Sequence, residues 1–557
     1  MTLDPIDYAV ISQSLQAAAR EMGVKLIKSA YSTILREARD GSAALLDRDG
    51  NVIAQAELIP MQLGPIGATI RPCLELHPAD TLVEGDFFVN NDPFNGGQHL
   101  QDVFIFTPIF FEGAVVGFSA SVAHHLDVGG GSAGLSAEAA DVYAEGLRIP
   151  PSKWNMKEDW NGGRLERMIA LNIRVPDQTI GDFNAQFAAN AMGAARLRQL
   201  CAKYGAAAVR ETMRELMDYS ERRVLAAIAK VPEGVYTGEA WLDDDGMGEE
   251  ALAIRATVTV RGGRVSVDFA GTCDQVGRNI NCPYASTISA ALSAVKTVLT
   301  SSDIPFNEGL KRPIEVSAPL GSLLNPRSPA PVRARMLSAY RAYDATMQAL
   351  AQAVPEQVSA LGFNTTTVTC LAHFGPRGYA VHLEPMGGGF GASLHADGCD
   401  AVDNALSNCS NTPVEALDAG YDFFRIHSYE LAPDSFGHGE HRGGAGFFRR
   451  YEILADGVTL SLYSDHFRMP APGLFGGGPG SPAHCHVLRD GARIPLKSKS
   501  ANKLRKGDVV EMLVGGGGGY GVPAKRHPAE VARDVADGLL SPARAAEVYG
   551  QARAAAE

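Results

Sequence analysis

Residues 84–125 read EGDFFVNNDPFNGGQHLQDVFIFTPIFFEGAVVGFSASVAHH, and this stretch decides the fold class. FFVNN, VFIFTPIFF and AVVGFSASVAHH are apolar runs of strand length, rich in β-branched and aromatic residues. The last two are joined by Glu112-Gly113, so a hairpin is expected. Just upstream, residues 43–54 hold two short apolar runs around Asp49-Gly50-Asn51, a second hairpin signal. Before them, Ile6, Ile11, Leu15, Ala18, Met22, Leu26 and Ala30 recur at three- and four-residue steps, which predicts a helix over 5–38.

Downstream the pattern alternates in blocks. From Leu165 to about Lys230 the spacing is helical, with breaks expected near Gly205 and Pro232. Strands then flank Arg261-Gly262-Gly263, and helices are expected at 285–301 and 336–353. After Pro355 strands return and glycine becomes dense, in PMGGGFGA at 385–392, HRGGAGFFRR at 441–450, LFGGGPG at 474–480 and GGGGGYG at 515–521. Helices at 527–538 and 541–549 close the chain. Blocks of strands and helices without regular βαβ units indicate α+β. The expectation is a large multi-sheet body with a long N-terminal helix, a central helical segment and a Gly-rich, β-rich C-terminal half. The parts are 1–160 (with the candidate site), 161–232, 233–360 and 361–557, with no repeat of fixed period.

Composition narrows the partners. The 557 residues are 45% apolar and 20% charged, values of an ordinary globular chain. Fifty Lys and Arg against 63 Asp and Glu leave a net charge of −13, which speaks against nucleic acid or an anionic membrane surface as partner. The opening MTLDPIDYAV lacks a basic n-region, and no apolar run is long enough to span a membrane. Eight scattered cysteines never form a C-x-x-C pair, so reduced, mostly buried thiols in a cytoplasmic protein are expected.

Chemistry concentrates in the first quarter. Asp40 follows the first helix, His99 and Asp102 lie in NDPFNGGQHLQDV, and His124, His125 and Asp127 lie in SVAHHLDVGG. Carboxylates and imidazoles suit a divalent ion such as Zn, Mn or Fe, and the lack of thiolate donors argues against a structural zinc site. Neighbouring residues on a strand point to opposite faces, so only one of His124 and His125 can face a common point directly. Against this stands a simpler reading, in which the histidines cap a sheet and Asp127 holds a turn. Glu145, in YAEGLRIPP, is a candidate base or supporting carboxylate.

The remaining candidates are weaker. GGGGGYG lacks the Lys-Ser/Thr end of a phosphate loop and PMGGGFGA lacks a dinucleotide context, so any ATP is expected to be bound by another chain. His438, Glu440 and His441 read as a solvated Gly loop before a metal site, and Asp465-His466 as a strand-end ion pair. Cys399 and Cys409 have no sequence-near histidine to activate them.

At these residues the chain resembles the hydantoinase B/oxoprolinase family over almost its whole length. The segments that carry the resemblance include REARDGSAALLDRDGNVIAQ, FFVNNDPFNGGQHLQDV, AHHLDVGG, YAEGLRIPP, FAGTCDQVGRNIN, DIPFNEGLKRPIEV, DSFGHGEHRGGAG and GGGGGYGVPAKRHPAEVARDVADGLLSPARAAEVYG. The resemblance implies the metal-dependent hydrolytic subunit of an ATP-dependent cyclic-amide hydrolase, acting on hydantoin, N-methylhydantoin, 5-oxoproline or a related lactam. It implies a hetero-oligomer in which a hydantoinase A-type partner binds ATP and phosphorylates the ring carbonyl. Asp40, His99, Asp102 and His124 fall on the family's metal positions, with His125, Asp127 or Glu145 orienting water or substrate. Such an ion would bring the pKa of water from ~15.7 towards ~7. Two alternatives accompany this reading: a subunit of an ATP-dependent ketone carboxylase of the acetone or acetophenone type, and a non-catalytic assembly subunit. The chain departs from the family at Gln98, Gln101, Leu513, Val514 and Val522, and in the Arg-rich VRARMLSAYRAYD.

Overall fold

A computed structural model describes residues 4–135 and 137–550. The chain forms two compact units, one of the described residues up to Gly238 with Arg255–Ala349, the other of Glu239–Ile254 with the described residues from Leu350 onward. The stretches read as 1–160 and 161–232 lie together in the first unit, and 233–360 contributes to both.

The first unit is built on a six-stranded antiparallel sheet of β1 (Gly41–Leu46), β2 (Val52–Ala56), β3 (Asp86–Asn90), β4 (Asp102–Phe111), β5 (Ala114–His124) and β6 (Ser152–Asn155). Its spatial order is β2-β1-β5-β4-β3-β6. Both expected hairpins are present. Glu112 and Gly113 close the β4–β5 turn at φ 51° and 79°, the left-handed pair that matches strand twist. In the β1–β2 turn the Asp47 carboxylate accepts the amides of Asp49 and Asn51.

The continuous apolar run of β1 follows from its cover on both faces. Ala43 and Leu45 pack on Ile11, Leu15 and Met22 of the helix Pro5–Ser29 and on Ala189 and Leu197 of the helix Pro176–Tyr204. Ala44 and Leu46 pack on Ile66 and Ile70 of the helix Pro65–Leu76. The first helix stops at Ser29 rather than running to 38, because Asp182 accepts the amides of Tyr31 and Ser32 and turns the chain out. The central helical stretch has one more break than expected, at Ile173–Val175 before Pro176.

The chain passes between units within β7 (Gly234–Leu242) and β8 (Leu252–Arg261). The Gly262-Gly263 turn joins β8 to β9 (Arg264–Asp268), and β10 (Ile314–Ser317) adds parallel to β9.

The second unit is a sandwich of two sheets. One holds β11 (Thr367–Gly375), β12 (Gly378–Met386), β15 (Val458–Tyr463) and β18 (Lys499–Leu504). The other holds β13 (Phe424–Leu431), β14 (Phe447–Ile453), β16 (His484–Arg489), β17 (Ala492–Leu496) and β19 (Val509–Val514). Leu371, Leu460 and Leu462 of the first meet Phe447, Val510 and Met512 of the second in one core. The α+β expectation holds. Among the described residues no helix is long and apolar enough to cross a membrane. None of the eight cysteines forms a disulfide, and six are buried.

The Gly-rich runs of this unit lie main chain against main chain. Gly389 donates to the Gly515 carbonyl, Gly444 to that of Phe390, and Gly519 to that of Gly478, at 2.8–3.0 Å. These amides are already satisfied, which removes the phosphate-cradle reading. A Cβ on Gly444 would lie 1.8 Å from the Cys399 carbonyl oxygen, and backbone cannot yield as a side chain can. Gly444→Ala should therefore destabilise at or above the top of the ~1–3 kcal/mol usual for overpacking. Gly277→Ala, whose Cβ would meet nothing within 4 Å, should stay within about 0.5 kcal/mol of wild type. Thermal melts of the two variants check this; equal midpoints would refute it.

Candidate functional site

Strand register builds the site. In the β4–β5 pair Asp102 stands opposite His124, and in the β1–β5 pair Gly41 stands opposite Ala123. Asp40, one residue before Gly41, therefore flanks His124 on the other side, and the His124 amide donates to the Asp40 carbonyl at 3.0 Å. Three adjacent strand ends thus set Asp40, His124 and Asp102 in one row, at the close spacing of cross-strand neighbours. His99 enters from the turn before β4. Its Nε2 lies 3.4 Å from Asp102 Oδ1, and its ring centroid is 5.0 Å from that of His124.

The strand's period of two separates the adjacent histidines as expected. His124 faces His99, whereas His125 stacks on Phe183 at 4.3 Å and its Nε2 lies 3.0 Å from Gln186 Oε1, both on the helix Pro176–Tyr204. Asp127 lies apart from the row and holds the turn, accepting the Arg174 and Gly134 amides and pairing with the Arg174 guanidinium.

Glu145 also acts at a distance. Its Oε1 accepts the amides of Val332 and Arg333 at 2.9 and 2.8 Å, and the Arg333 carbonyl in turn lies 2.9 Å from His99 Nδ1. If Nδ1 donates that bond, Nε2 keeps its lone pair towards the row.

Two more side chains complete the arrangement. Arg335 forms a buried ion pair with Asp102 Oδ2. Gln62 Nε2 donates to Asp40 Oδ1 at 2.8 Å and reaches Asp102 Oδ1 at 3.5 Å, linking the two carboxylates. Sequence reading missed both. The only trace of Arg335 was the excess arginine of VRARMLSAYRAYD, and Gln62 left no signal.

Burial sets the charge states. It depresses His99 to about 4, with the Arg335 charge adding to the effect, and holds His124 well below its ordinary value. Both imidazoles are therefore neutral at pH 7. Burial alone would raise Asp102, but the Arg335 guanidinium and His99 bring it well below the usual carboxylate range. Neutral imidazoles beside an ionised carboxylate are the donor forms that a divalent ion takes. His99 Nε2 and His124 Nδ1 are buried without a hydrogen-bond partner, so each presents a lone pair in the tautomer that keeps the proton on the other ring nitrogen. The set is open, since no three of these four donors lie within 4.8 Å of one another. Arg335 on Asp102 is the contact that an ion would displace or share. The donors fit a divalent ion in chemistry and charge.

Glu145 is raised by burial to about 7, countered in part by the Arg333 and Val332 amides. The folded chain keeps a proton there that the unfolded chain, with its ordinary value of 4.5, has released. Stability therefore falls as pH rises from about 4.5 to about 7 and levels off above. Glu145→Gln should remove that slope, so its thermal midpoint should gain on wild type across the window. A difference between the two proteins that stays flat over the window would contradict the assignment.

The family model for hydantoinase B/oxoprolinase matches residues 4–523. The chain belongs to the hydantoinase B/oxoprolinase family. A family member from Pseudomonas sp. (strain NS671), provisionally named as the B-type component of a D-/L-hydantoinase, is 36% identical over 572 residues, covering 98% of this chain and 95% of its own. The beta component of the caprolactamase of Pseudomonas jessenii is 33% identical over 570 residues, covering 99% and 96%. The crystal structure of the ATP-dependent caprolactamase from Pseudomonas jessenii superposes with a TM-score of 0.92 at 31% identity, over 100% of this chain and 98% of that one. Both of these relatives are named as one subunit of an enzyme.

The other sequence candidates are placed elsewhere. His438 Nε2 accepts from Arg544 Nε at 3.0 Å, and His441 pairs with Asp397 at 3.7 Å, so they serve the Gly-rich bed. Asp465 pairs with buried Lys499 at 3.1 Å, a partner the sequence reading did not name, and His466 Nδ1 lies against the Met469 carbonyl.

Proposed function

We propose that this chain is the hydrolytic subunit of an ATP-dependent cyclic-amide hydrolase, opening a hydantoin, 5-oxoproline or related lactam ring whose carbonyl a hydantoinase A-type partner has phosphorylated. The observation that carries the reading is the row of Asp40, His124 and Asp102 joined by His99, in which burial keeps both imidazoles neutral and Arg335 keeps Asp102 ionised. A divalent ion held by these four would supply Lewis acidity to water and to the ring carbonyl.

The chain's own residues do the rest. His99 is oriented by the Arg333 carbonyl, which Glu145 fixes through two amide hydrogen bonds. His125 and Asp127 hold the strand end and its turn, so these two and Glu145 act as positioning residues. Gln62 ties the two carboxylates together through its amide nitrogen.

Co-purification with the A-type chain and a screen of hydantoin, N-methylhydantoin, 5-oxoproline and larger lactams tests the reading. ATP-dependent ring opening without added bicarbonate is expected. ATP turnover that needs bicarbonate and a ketone would replace it with the carboxylase reading, and ring opening by the A-type chain alone would reduce this chain to an assembly role.

A further inference from the structure

A second donor set lies in the other unit, on a sheet face that the function above does not use. β16 and β19 are antiparallel, with His486 opposite Glu511 and His484 opposite Leu513. The period of two turns Cys485 and Val487 into the sandwich core and His484 and His486 to the outer face. The two rings lie 4.7 Å apart. One donor atom from each of His484, His486 and Glu511 lies within 4.8 Å of the others, and among the described residues these three make the one such group.

Two arginines attend the site. Arg450 Nε pairs with Glu511 Oε2 at 2.7 Å, and Arg493 Nη2 with Oε1 at 2.6 Å. Arg493 Nη2 also lies 3.1 Å from His484 Nε2. As a donor it requires that nitrogen to present its lone pair. His486 Nδ1 is buried without any hydrogen-bond partner. Burial, the neighbouring imidazole and Arg493 together depress His484 to about 4, and burial with Arg493 lowers His486.

We propose that His484, His486 and Glu511 bind one divalent ion of the borderline class, Zn2+ or Cu2+ rather than Mg2+ or Ca2+. Two imidazoles and one carboxylate suit that class, whereas hard cations need an oxygen cage. Arg493 is the stand-in occupant: its guanidinium touches a histidine nitrogen and a Glu511 oxygen, two of the atoms an ion would take. It projects from β17 at the sheet edge with its side chain 52% exposed, so it can swing into solvent. Arg450 keeps the other carboxylate oxygen and holds Glu511 in place. The ion would then clip β16 to β19 across the outer face.

The test uses the full chain, stripped of metal by chelator and titrated with Zn2+, Co2+ and Mg2+ by calorimetry and absorption. Wild type should bind one more equivalent of Zn2+ than the His484→Gln/His486→Gln double variant, whose affinity at this site should fall by more than about a hundredfold. Arg493→Gln removes the competing charge and should tighten Zn2+ binding by about threefold or more. Ring opening in the reconstituted complex should be unchanged in the double variant, which separates this site from the Asp40–His124–Asp102 row. Equal Zn2+ stoichiometry in wild type and double variant, weaker binding in Arg493→Gln, or Mg2+ bound as tightly as Zn2+ would each overturn the proposal.

Discussion

His124→Ala should lower ATP-dependent ring opening by on the order of a thousandfold, a loss of about 4 kcal/mol of transition-state stabilisation, while ATP hydrolysis by the partner largely persists. Asp102→Asn should lose ring opening to the same degree, and the two variants should differ in stability. His124 has no charge partner to strand, being neutral and in contact with the His99 ring. Asp102 is the counter-charge of Arg335, and both side chains are at most 5% exposed. Asparagine leaves that guanidinium buried and unpaired, at a cost of about 3–5 kcal/mol. Adding Arg335→Met should restore most of the melting temperature and none of the activity. Product release at wild-type rate from His124→Ala or Asp102→Asn would show that the row does not hold the chemistry. A double variant that regains activity with stability would show that Asp102 serves only to neutralise Arg335.

Arg449→Met should be the most damaging single change in the second unit outside the glycine bed. Glu384 on β12 and Arg449 on β14 face each other across the sandwich, paired at 2.8 Å with side chains 2% and 1% exposed. Arg449 also donates to the Thr412 carbonyl and lies over the Tyr429 ring at 4.5 Å. Tyr451 donates its hydroxyl to Glu384 Oε2, and His382 lies 3.4 Å from the same oxygen. Removing the guanidinium strands the carboxylate, so a loss of about 3–5 kcal/mol is expected, and Glu384→Leu in the same chain should recover most of it.

Acid behaviour gives a second check. Burial raises the Glu384 pKa, but Arg449 and its hydrogen-bond partners bring it below its ordinary 4.5. The native pair is therefore fully stabilising above about pH 4.5 and weakens as pH falls through the lower folded value. In Arg449→Met the carboxyl should titrate at higher pH, and the acid limb of the stability curve should flatten. A midpoint within a degree or so of wild type would mean that the pair is neutral to folding.

The first-unit sheet was legible because its information is local. Glu112-Gly113 and Asp49-Gly50-Asn51 fix two hairpins, and the hairpins fix which residues stand opposite one another. From the β4–β5 register the facing of Asp102 and His124 follows, and the opposed directions of His124 and His125 with it, whereas Asp40 joins them through the β1–β5 pairing, which no local turn encodes. What could not be read is what closes the site from far along the chain. Arg335 reaches Asp102 across 233 residues, and Gln186 meets His125 across 61; neither spacing leaves a periodic or motif signal. The end of the first helix at Ser29 was hidden for the same reason, since the residue that captures Tyr31 and Ser32 is Asp182. The glycine runs announced close approach but not their partners, because main-chain stacking depends on topology and not on side-chain identity.

The row at the strand ends makes the Glu112-Gly113 turn the ruler of the Asp102–His124 pair in the candidate centre. One residue inserted between Phe111 and Ala114, with pairing redrawn from the turn, would bring Ala123 or His125 opposite Asp102 in place of His124, and His124 would be turned to the other face of the sheet. The length of that turn therefore matters to the centre as much as the identity of the side chains it brings face to face.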